Sequence, residues 1–156
     1  MSGAAKLNDD LADSLQNIKM ITGVENVVLI QKDGLPVASA GVWFSKEEVF
    51  AVASSTCAIF GVARLIHGNF KYLLMESETS KVCLASLPNN SEYFLTITTA
   101  PRVNLAALFI EMKDSMSQIS YHLSQRADGR LPPLRSYSVD EAKDVLSGFA
   151  VAEGSN

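Results

Sequence analysis

Residues 45–67, SKEEVFAVASSTCAIFGVARLIH, decide how this chain folds. Ser45 and Glu48 have the spacing of a capping box, and Gly68 stands where a left-handed helix stop is expected, so the segment is predicted to be one helix. Its apolar residues do not fit within the single stripe of an amphipathic helix and lie around the whole circumference. One side can pack on a sheet of the same chain. The remaining apolar surface calls for a partner.

A membrane span is the first alternative for so apolar a helix. It is disfavoured because Arg64 interrupts the uncharged segment before the roughly 20 residues that a span requires. Residues 54–56, Ser-Ser-Thr, also lie in the middle of the segment. The small residues of the helix permit close approach of another backbone, either the chain's own sheet or a second copy. The excess of apolar surface favours the second copy.

The part of the chain before this helix predicts one helix and two strands. Leucine and isoleucine recur at helical spacing over residues 7–18, and Gly23 follows as a stop. Residues 24–31 form a β-branched run, and a Lys-Asp-Gly turn sends the chain back through residues 35–40. Because Pro36 cannot donate to a ladder, the second strand should lie at a sheet edge or begin at that proline.

The part after this helix predicts three strands and a last helix. The strands are expected at residues 70–76, 81–87 and 92–98, separated by short polar turns. Thr98 or Thr99 is expected to cap the last helix, with Pro101 in its first turn. Apolar residues of that helix alternate steps of four and three and share one face: Leu105, Phe109, Met112, Met116, Ile119 and Leu123.

The resulting order, αββαβββα, predicts an α/β chain of the α+β type. A meandering antiparallel sheet of five strands has two faces to cover. The first and last helices each have one apolar stripe and can share one face. The central helix then covers the other face, and its surplus apolar surface remains for a partner.

The chain is predicted to divide into one domain over residues 1–125 and a tail over residues 126–156. The tail combines a linker with a short amphipathic helix. A helix so short needs a surface to pack on, so Val145, Leu146 and Phe149 are expected to dock on the domain. Docking on a partner is the alternative.

Composition excludes several classes of function. A net charge of −4 without any basic run argues against binding to nucleic acid. The first residues lack the apolar core of a signal peptide, so a cytoplasmic location is expected. Neither a phosphate-binding glycine loop nor a metal-ligand spacing occurs, so no cofactor is predicted. Cys57 and Cys83 are interpreted as buried apolar residues, and His67 and His122 as a helix end and a solvated side chain.

The hairpin sequence GVENVVLIQKDGLPVAS, residues 23–39, resembles the Roadblock or dynein light-chain family. Members of that family have the pattern G-V-x-x-V-V-V-x-x-x-x-G-x-P-V-A-S, followed by a long alanine-rich helix. Leu29 is a mild departure from it. Residues 93–100 and the pair Asn104-Leu105 are also similar, and the resemblance covers about residues 6–124.

The resemblance implies a profilin-like sandwich that dimerises through its central helix and third strand, joining two five-stranded sheets into one. Carried over by element, the expected dimer or partner surface consists of Val49, Val52, Ala53, Thr56, Phe60, Phe70, Tyr72 and Leu74. The apolar residues themselves define no single side of the helix.

The resemblance also implies a noncatalytic scaffold or regulator of a small Ras-like GTPase. We therefore predict a homodimer that binds such a GTPase, with neither nucleic acid nor membrane insertion. An adaptor without GTPase contact is the nearest alternative. A small-molecule sensor is the alternative from another class and would need an apolar pocket with convergent polar groups. A cysteine enzyme comes third and would need a reactive thiol.

Overall fold

The computed structural model describes residues 2–43, 45–68 and 70–125, with side chains from residue 6 onward. These residues form three helices and five strands in the predicted order. The elements are α1 (Ser2–Lys19), β1 (Val24–Gln31), β2 (Pro36–Gly41), α2 (Lys46–Ile66), β3 (Tyr72–Glu76), β4 (Lys81–Leu87), β5 (Asn90–Thr99) and α3 (Leu105–Ser124). The predicted tail helix, with Val145, Leu146 and Phe149, lies outside the described residues.

The five strands form one antiparallel sheet in the order β2-β1-β5-β4-β3. The expected meander is therefore wrong as a strand order, because β5 pairs with β1 instead of ending the sheet. α2 carries the chain from the β1–β2 hairpin to the opposite edge of the sheet, where β3 lies. The first and last strands, β1 and β5, are therefore neighbours inside the sheet. The expectation for Pro36 is confirmed on both counts, since it opens β2 and β2 lies at an edge.

Side chains alternate between the two faces of the sheet, as strand geometry requires. On β1, Val27 and Leu29 join the core beneath α1 and α3, whereas Val28 and Ile30 face α2. On β5, Leu95 contributes to the first face, and Phe94 to the second. The predicted division of helices is confirmed: α1 and α3 share one face, and α2 covers the other alone.

The exit from α1 uses a left-handed glycine, as predicted. Gly23 has a φ of +96°, a value that residues with a Cβ rarely adopt. A side chain at position 23 would also lack room, because an added Cβ would lie 3.3 Å from Val103. α1 itself ends at Lys19, so Gly23 serves the turn from α1 into β1, and both this turn and the packing of the segment before α3 need glycine.

The start of α2 is capped as predicted, but its end differs from the prediction. The Glu48 N–H donates to Ser45 Oγ at 3.2 Å. At the other end, His67 is extended, with φ −143° and ψ 108°, and its N–H donates to Ala63 O. The chain thus leaves α2 through an extended residue, and Gly68 is not the left-handed cap that was expected.

The start of α3 lies later than predicted. Thr98 and Thr99 remain in β5, where they pair with β1 and β4. The helix begins after Asn104, whose Oδ1 accepts the Ala107 N–H at 3.1 Å. A strand paired on both sides keeps its extended backbone, and Asn caps a helix at least as well as Thr. The expected stripe is buried at its last four positions, with Leu108 as an additional buried residue.

Candidate functional site

The inner side of α2 packs on the chain's own sheet. Val49 and Ala53 contact the β1 pair Val28 and Ile30, and they are 3% and 0% exposed. Further along the helix, Phe60 lies in a cluster with Leu84 and Phe94. Its ring stacks on Phe94 at a centroid distance of 4.2 Å and on Phe70 at 5.1 Å. Val49, Ala53 and Phe60 are separated by steps of four and seven, so they share one side of the helix.

A buried hydrogen bond joins α2 to the central strand. The hydroxyls of Thr56 and Thr96 lie 2.7 Å apart, and Thr56 Oγ1 also donates to Val52 O at 2.8 Å. Both threonines are 3% exposed or less. Since a buried hydroxyl without a partner is costly, this pair fixes the rotation of α2 on the sheet.

The helix side that was expected to meet a partner is therefore the wrong side. Val49, Ala53, Thr56 and Phe60 are at most 3% exposed within the single chain, so they have no free surface to offer. Phe70 is half-buried in the stack on Phe60. The physical reason is that the sheet buries the side of the helix that packs on it, so only the rest of the helix surface is left for association. Dimerisation itself stays a prediction.

The flank of α2 that faces the β3 side of the sheet carries an uncovered apolar surface. Val62 is 60% exposed and Ile66 is 84% exposed, and Leu65 beside them is 87% exposed. We define the outer stripe as a set with helical spacing of three and four: Val52, Ser55, Ile59, Val62 and Ile66. Of these, only Ser55 is polar. Contiguous apolar exposure of this kind marks an interaction surface.

An apolar groove of about 260 Å³ runs beside the outer stripe, between α2 and the strands β3 to β5. Val52 and Ile59 form its helix wall, and Met75, Val82 and Leu84 form its sheet wall. α2 therefore does not cover the whole face of the sheet. The part towards β3 stays open to a side chain from outside.

β3 forms the edge of the sheet next to this groove. It pairs with β4, and its other side has no strand neighbour in the described part of the chain. Tyr72 is 51% exposed and packs against Phe109 of α3, with ring centroids 4.9 Å apart. Leu74 is half-buried and packs on the core beneath α1 and α3. Of the predicted strand residues, Tyr72 thus remains available to a partner.

The cysteines have the environment of buried apolar residues. Burial, reinforced by Asp33, raises the pKa of the Cys57 thiol to about 11, and burial raises that of Cys83 to about 12. Nucleophilic cysteines have lowered pKa values, so both thiols are unsuited to attack near neutral pH. His122 Nδ1 lies 3.7 Å from Asp10 Oδ2 and links α3 to α1. No cluster of three metal-ligating side chains occurs among the described residues.

Packing, rather than length, argues against a membrane role for α2. By length and composition alone, its 21 residues suffice to cross a bilayer, contrary to the argument from Arg64. However, withdrawal of the helix would remove Val49, Ala53 and Phe60 from the sheet, where each is 3% exposed or less. The Arg64 guanidinium also lies over the Phe94 ring, 5.4 Å from its centroid. α2 is the core helix of this face.

No protein-family model matches the sequence, and no curated protein sequence does so either. Solved structures match the fold. The Roadblock/LC7 domain from Streptomyces avermitilis aligns with a TM-score of 0.63 and 15% identity, covering 74% of this chain and 96% of its own. The chain has a Roadblock/LC7 fold.

Two further Roadblock-type neighbours support the same conclusion. The gliding protein MglB from Thermus thermophilus aligns with a TM-score of 0.68 and 10% identity, covering 77% of this chain and 93% of its own. MglB from Myxococcus xanthus aligns with a TM-score of 0.62 and 20% identity, covering 78% and 97%. At such identities the likeness concerns the fold alone, and a functional site depends on this chain's own residues.

Four residues of the outer stripe were not among the predicted site residues: Ser55, Ile59, Val62 and Ile66. Their spacing is visible in the sequence, but an equally apolar set lies on the inner side. The position of Thr56 opposite Thr96 distinguishes the two sides, and that pairing across 40 positions appears only in the folded chain.

Proposed function

We propose that this chain is a noncatalytic scaffold or regulator that acts as a homodimer in the cytoplasm and binds a small Ras-like GTPase. The observation that carries the proposal is the outer stripe of α2, an exposed apolar surface beside an open groove and a free sheet edge. Exposed apolar surfaces of this kind are typical of sites at which a second protein binds. The Roadblock/LC7 fold supports the choice of partner, and one neighbouring structure is described as MglB with a tetrameric arrangement.

The outer stripe is suited to pairing with its own copy. In an isologous dimer, two α2 helices run antiparallel and cross near Ile59, so that Val52 of one protomer meets Ile66 of the other. The exposed Ile66 then has the size and polarity to enter the groove of its partner, which Val52 and Ile59 line. Both protomers make the same contact, and each groove is filled once.

The edge strand β3 supports the same arrangement. An exposed edge invites pairing with another strand, and two β3 edges related by a twofold axis would pair antiparallel. The two five-stranded sheets would then continue into one of ten strands. Tyr72, at 51% exposure, lies at this junction.

A regulator of this type needs no catalytic group of its own. Nucleotide hydrolysis by Ras-like GTPases depends on correctly placed switch segments, and a bound scaffold can place or restrain them. The high thiol pKa values of Cys57 and Cys83 are consistent with such a noncatalytic role.

The decisive experiment measures binding of the full chain to a panel of purified Ras-like GTPases, each loaded with GDP or with a nonhydrolysable GTP analogue. We expect a complex whose mass contains two copies of this chain, and a preference of at least about tenfold for one nucleotide state. A chain that is monomeric at micromolar concentration and binds no GTPase contradicts the proposal. A dimer that binds no GTPase in either state identifies an adaptor instead.

A further inference from the structure

A second cavity, of about 350 Å³, lies at the C-terminal end of α2, away from the groove. α2 and the segment after it form one side, and β4 and β5 form the other. We call this cavity the Arg64 pocket, after the one charged residue in its lining: Phe60, Arg64, Gly68, Phe70, Ser86 and Ser91. A volume of this size corresponds to the small end of the range of ligand pockets.

One wall of the Arg64 pocket is aromatic and rigid. Phe60 is stacked between Phe94 and Phe70, with interplanar angles of 16° and 13°. Phe60 and Phe94 are each 2% exposed, whereas Phe70 is half-buried. The stack therefore presents part of the Phe70 ring to the cavity. A planar apolar group can pack against this surface in an offset-stacked or edge-on geometry.

The single charge of the pocket is held in place but not neutralised. The Arg64 guanidinium lies over the Phe94 ring, with its Cζ 5.4 Å from the ring centroid. No Asp or Glu oxygen lies within 4.0 Å of it among the described residues. The N–H groups at the edge of the guanidinium thus remain able to donate two parallel hydrogen bonds to a carboxylate.

Two hydroxyls lie in the same cavity. Ser86 ends the regular pairing of β4 with β5, and Ser91 lies near the start of β5. Neither side chain has a hydrogen-bond partner in the part of the chain that the structure describes. Each hydroxyl can therefore donate to an acidic oxygen or accept from a ligand N–H.

From this combination we propose that the Arg64 pocket binds a small aromatic carboxylate. The aromatic wall selects a planar ring, the guanidinium fork matches a carboxylate, and the hydroxyls supply further hydrogen bonds. One arginine balances one negative charge, which favours a monoanion over a phosphate dianion. The pocket has the convergent polar groups that a small-molecule sensor needs, and its apolar surface is confined to the aromatic wall.

The Arg64 pocket is independent of the proposed GTPase scaffold. Arg64 follows Ile59 by five residues, which places it about 140° around the helix from the outer stripe. Ligand binding and dimerisation can therefore be tested by separate substitutions, and failure of one leaves the other standing.

The test is a titration of the full chain with indole-3-acetate, followed by amide chemical shifts. We expect a Kd of about 1 mM or tighter, with the largest shifts at Phe70, Ser86 and Ser91. Indole-3-acetamide, which keeps the ring but lacks the charge, should bind at least about tenfold more weakly. Acetate, which lacks the ring, should give no saturable shift at these residues.

Arg64→Gln removes the charge and keeps most of the side-chain stem, and it should weaken indole-3-acetate binding at least about tenfold. The matched control is Lys113→Gln, which removes a cation from an exposed position on α3 and should leave the Kd for indole-3-acetate unchanged. Unchanged amide shifts away from the pocket will show that Arg64→Gln is folded. Equal binding by Arg64→Gln and the parent chain, or no saturable shift at the pocket residues, overturns the proposal.

Discussion

The two faces of the sheet are covered to different extents. Beneath α1 and α3 lies one continuous core that draws residues from all five strands and both helices. On the other face, α2 alone covers two smaller clusters, one around Ala53 and one around Phe60. A groove of about 260 Å³ stays open beside it. The first face is complete within one chain, whereas the second has apolar surface left over.

This difference separates residues that stabilise the fold from residues that are free to bind. On the α1 and α3 face, the buried strand residues form a single core with the two helices above them. On the α2 face, the inner side of the helix serves the fold, whereas the outer stripe is only half-buried at Val52 and Ile59 and is exposed at Val62 and Ile66. Substitutions on the two sides of α2 should therefore affect different properties: stability of the single chain, or association between chains.

The largest effect is expected for Phe60→Ala on the inner side of α2. Phe60 is 2% exposed and stacks on two rings, so truncation should lower the free energy of unfolding by about 3–5 kcal/mol. Urea unfolding monitored by circular dichroism measures the loss. A Phe60→Ala chain as stable as the parent would show that the aromatic stack does not hold α2 on the sheet.

The next effect concerns association and is expected for Val62→Glu in the outer stripe. The substitution occurs twice in a symmetric dimer and desolvates two carboxylates, so the dimer should dissociate at least about 100-fold more readily. Sedimentation velocity over a concentration series measures it. Stability of the single chain should change little, since Val62 is 60% exposed.

The matched control for Val62→Glu is Tyr121→Glu on α3. Tyr121 is 63% exposed, so the two substitutions place the same charge at similar exposure on opposite faces of the molecule. Tyr121→Glu should leave the dimer intact. If both variants dissociate equally, or neither does, the outer stripe is not the dimer surface.

A smaller effect is expected for Thr56→Val, which removes one hydroxyl of the buried pair. Thr96 then loses its partner at 2.7 Å, at a cost of about 1–3 kcal/mol. The double variant Thr56→Val with Thr96→Val should be more stable than the sum of the single changes predicts, because it leaves no lone hydroxyl. Additive losses in urea unfolding would contradict coupling between these two residues.

The smallest effect is a difference in labelling rate between the two cysteines, which lie on opposite faces of the sheet. Cys57 belongs to α2 and is half-buried against the sheet, whereas Cys83 is buried beneath α3, and their thiol pKa values are raised to about 11 and about 12. Because a raised pKa lowers the thiolate fraction, iodoacetamide should label both more slowly than an unfolded control at pH 8. Cys57 should react before Cys83, and mass spectrometry of peptides follows each.

The raised thiol pKa values also determine the direction in which the stability of the fold changes with pH. A thiol whose folded pKa lies above its unfolded value stabilises the fold below pH 9, and that stabilisation is lost as pH rises through about 11 to 12. Rapid labelling of Cys57 at neutral pH would contradict a raised thiol pKa and would support the alternative of a cysteine enzyme.

Much of the fold could be predicted because its signals are local. The β-branched run over residues 24–31, the turn after it and the N-terminal cap at Ser45 each act over a few positions, and the structure confirms them. The order of strands was less accessible, since β1 pairs with β5 across about 70 positions that no local pattern connects. The predicted start of α3 failed for the same reason, because pairing on both sides holds Thr98 and Thr99 in β5.

In the candidate site, too, the local features could be predicted and the contacts between distant segments could not. The excess of apolar surface on α2 was visible in the sequence, but the side chosen for the partner was the buried one. The Arg64 pocket could not be predicted, because Arg64, Phe70, Ser86 and Ser91 come from four separate segments. Nothing in the spacing of these residues marks them as neighbours.

The sequence by itself determined that α2 carries more apolar surface than one sheet face can bury, because composition and helical length suffice for that conclusion. Only the tertiary structure decided which side remains free. A helix that is apolar all round has no preferred rotation of its own, so the rotation is set by what it meets: the Phe94 ring against Phe60 and the Thr96 hydroxyl against Thr56.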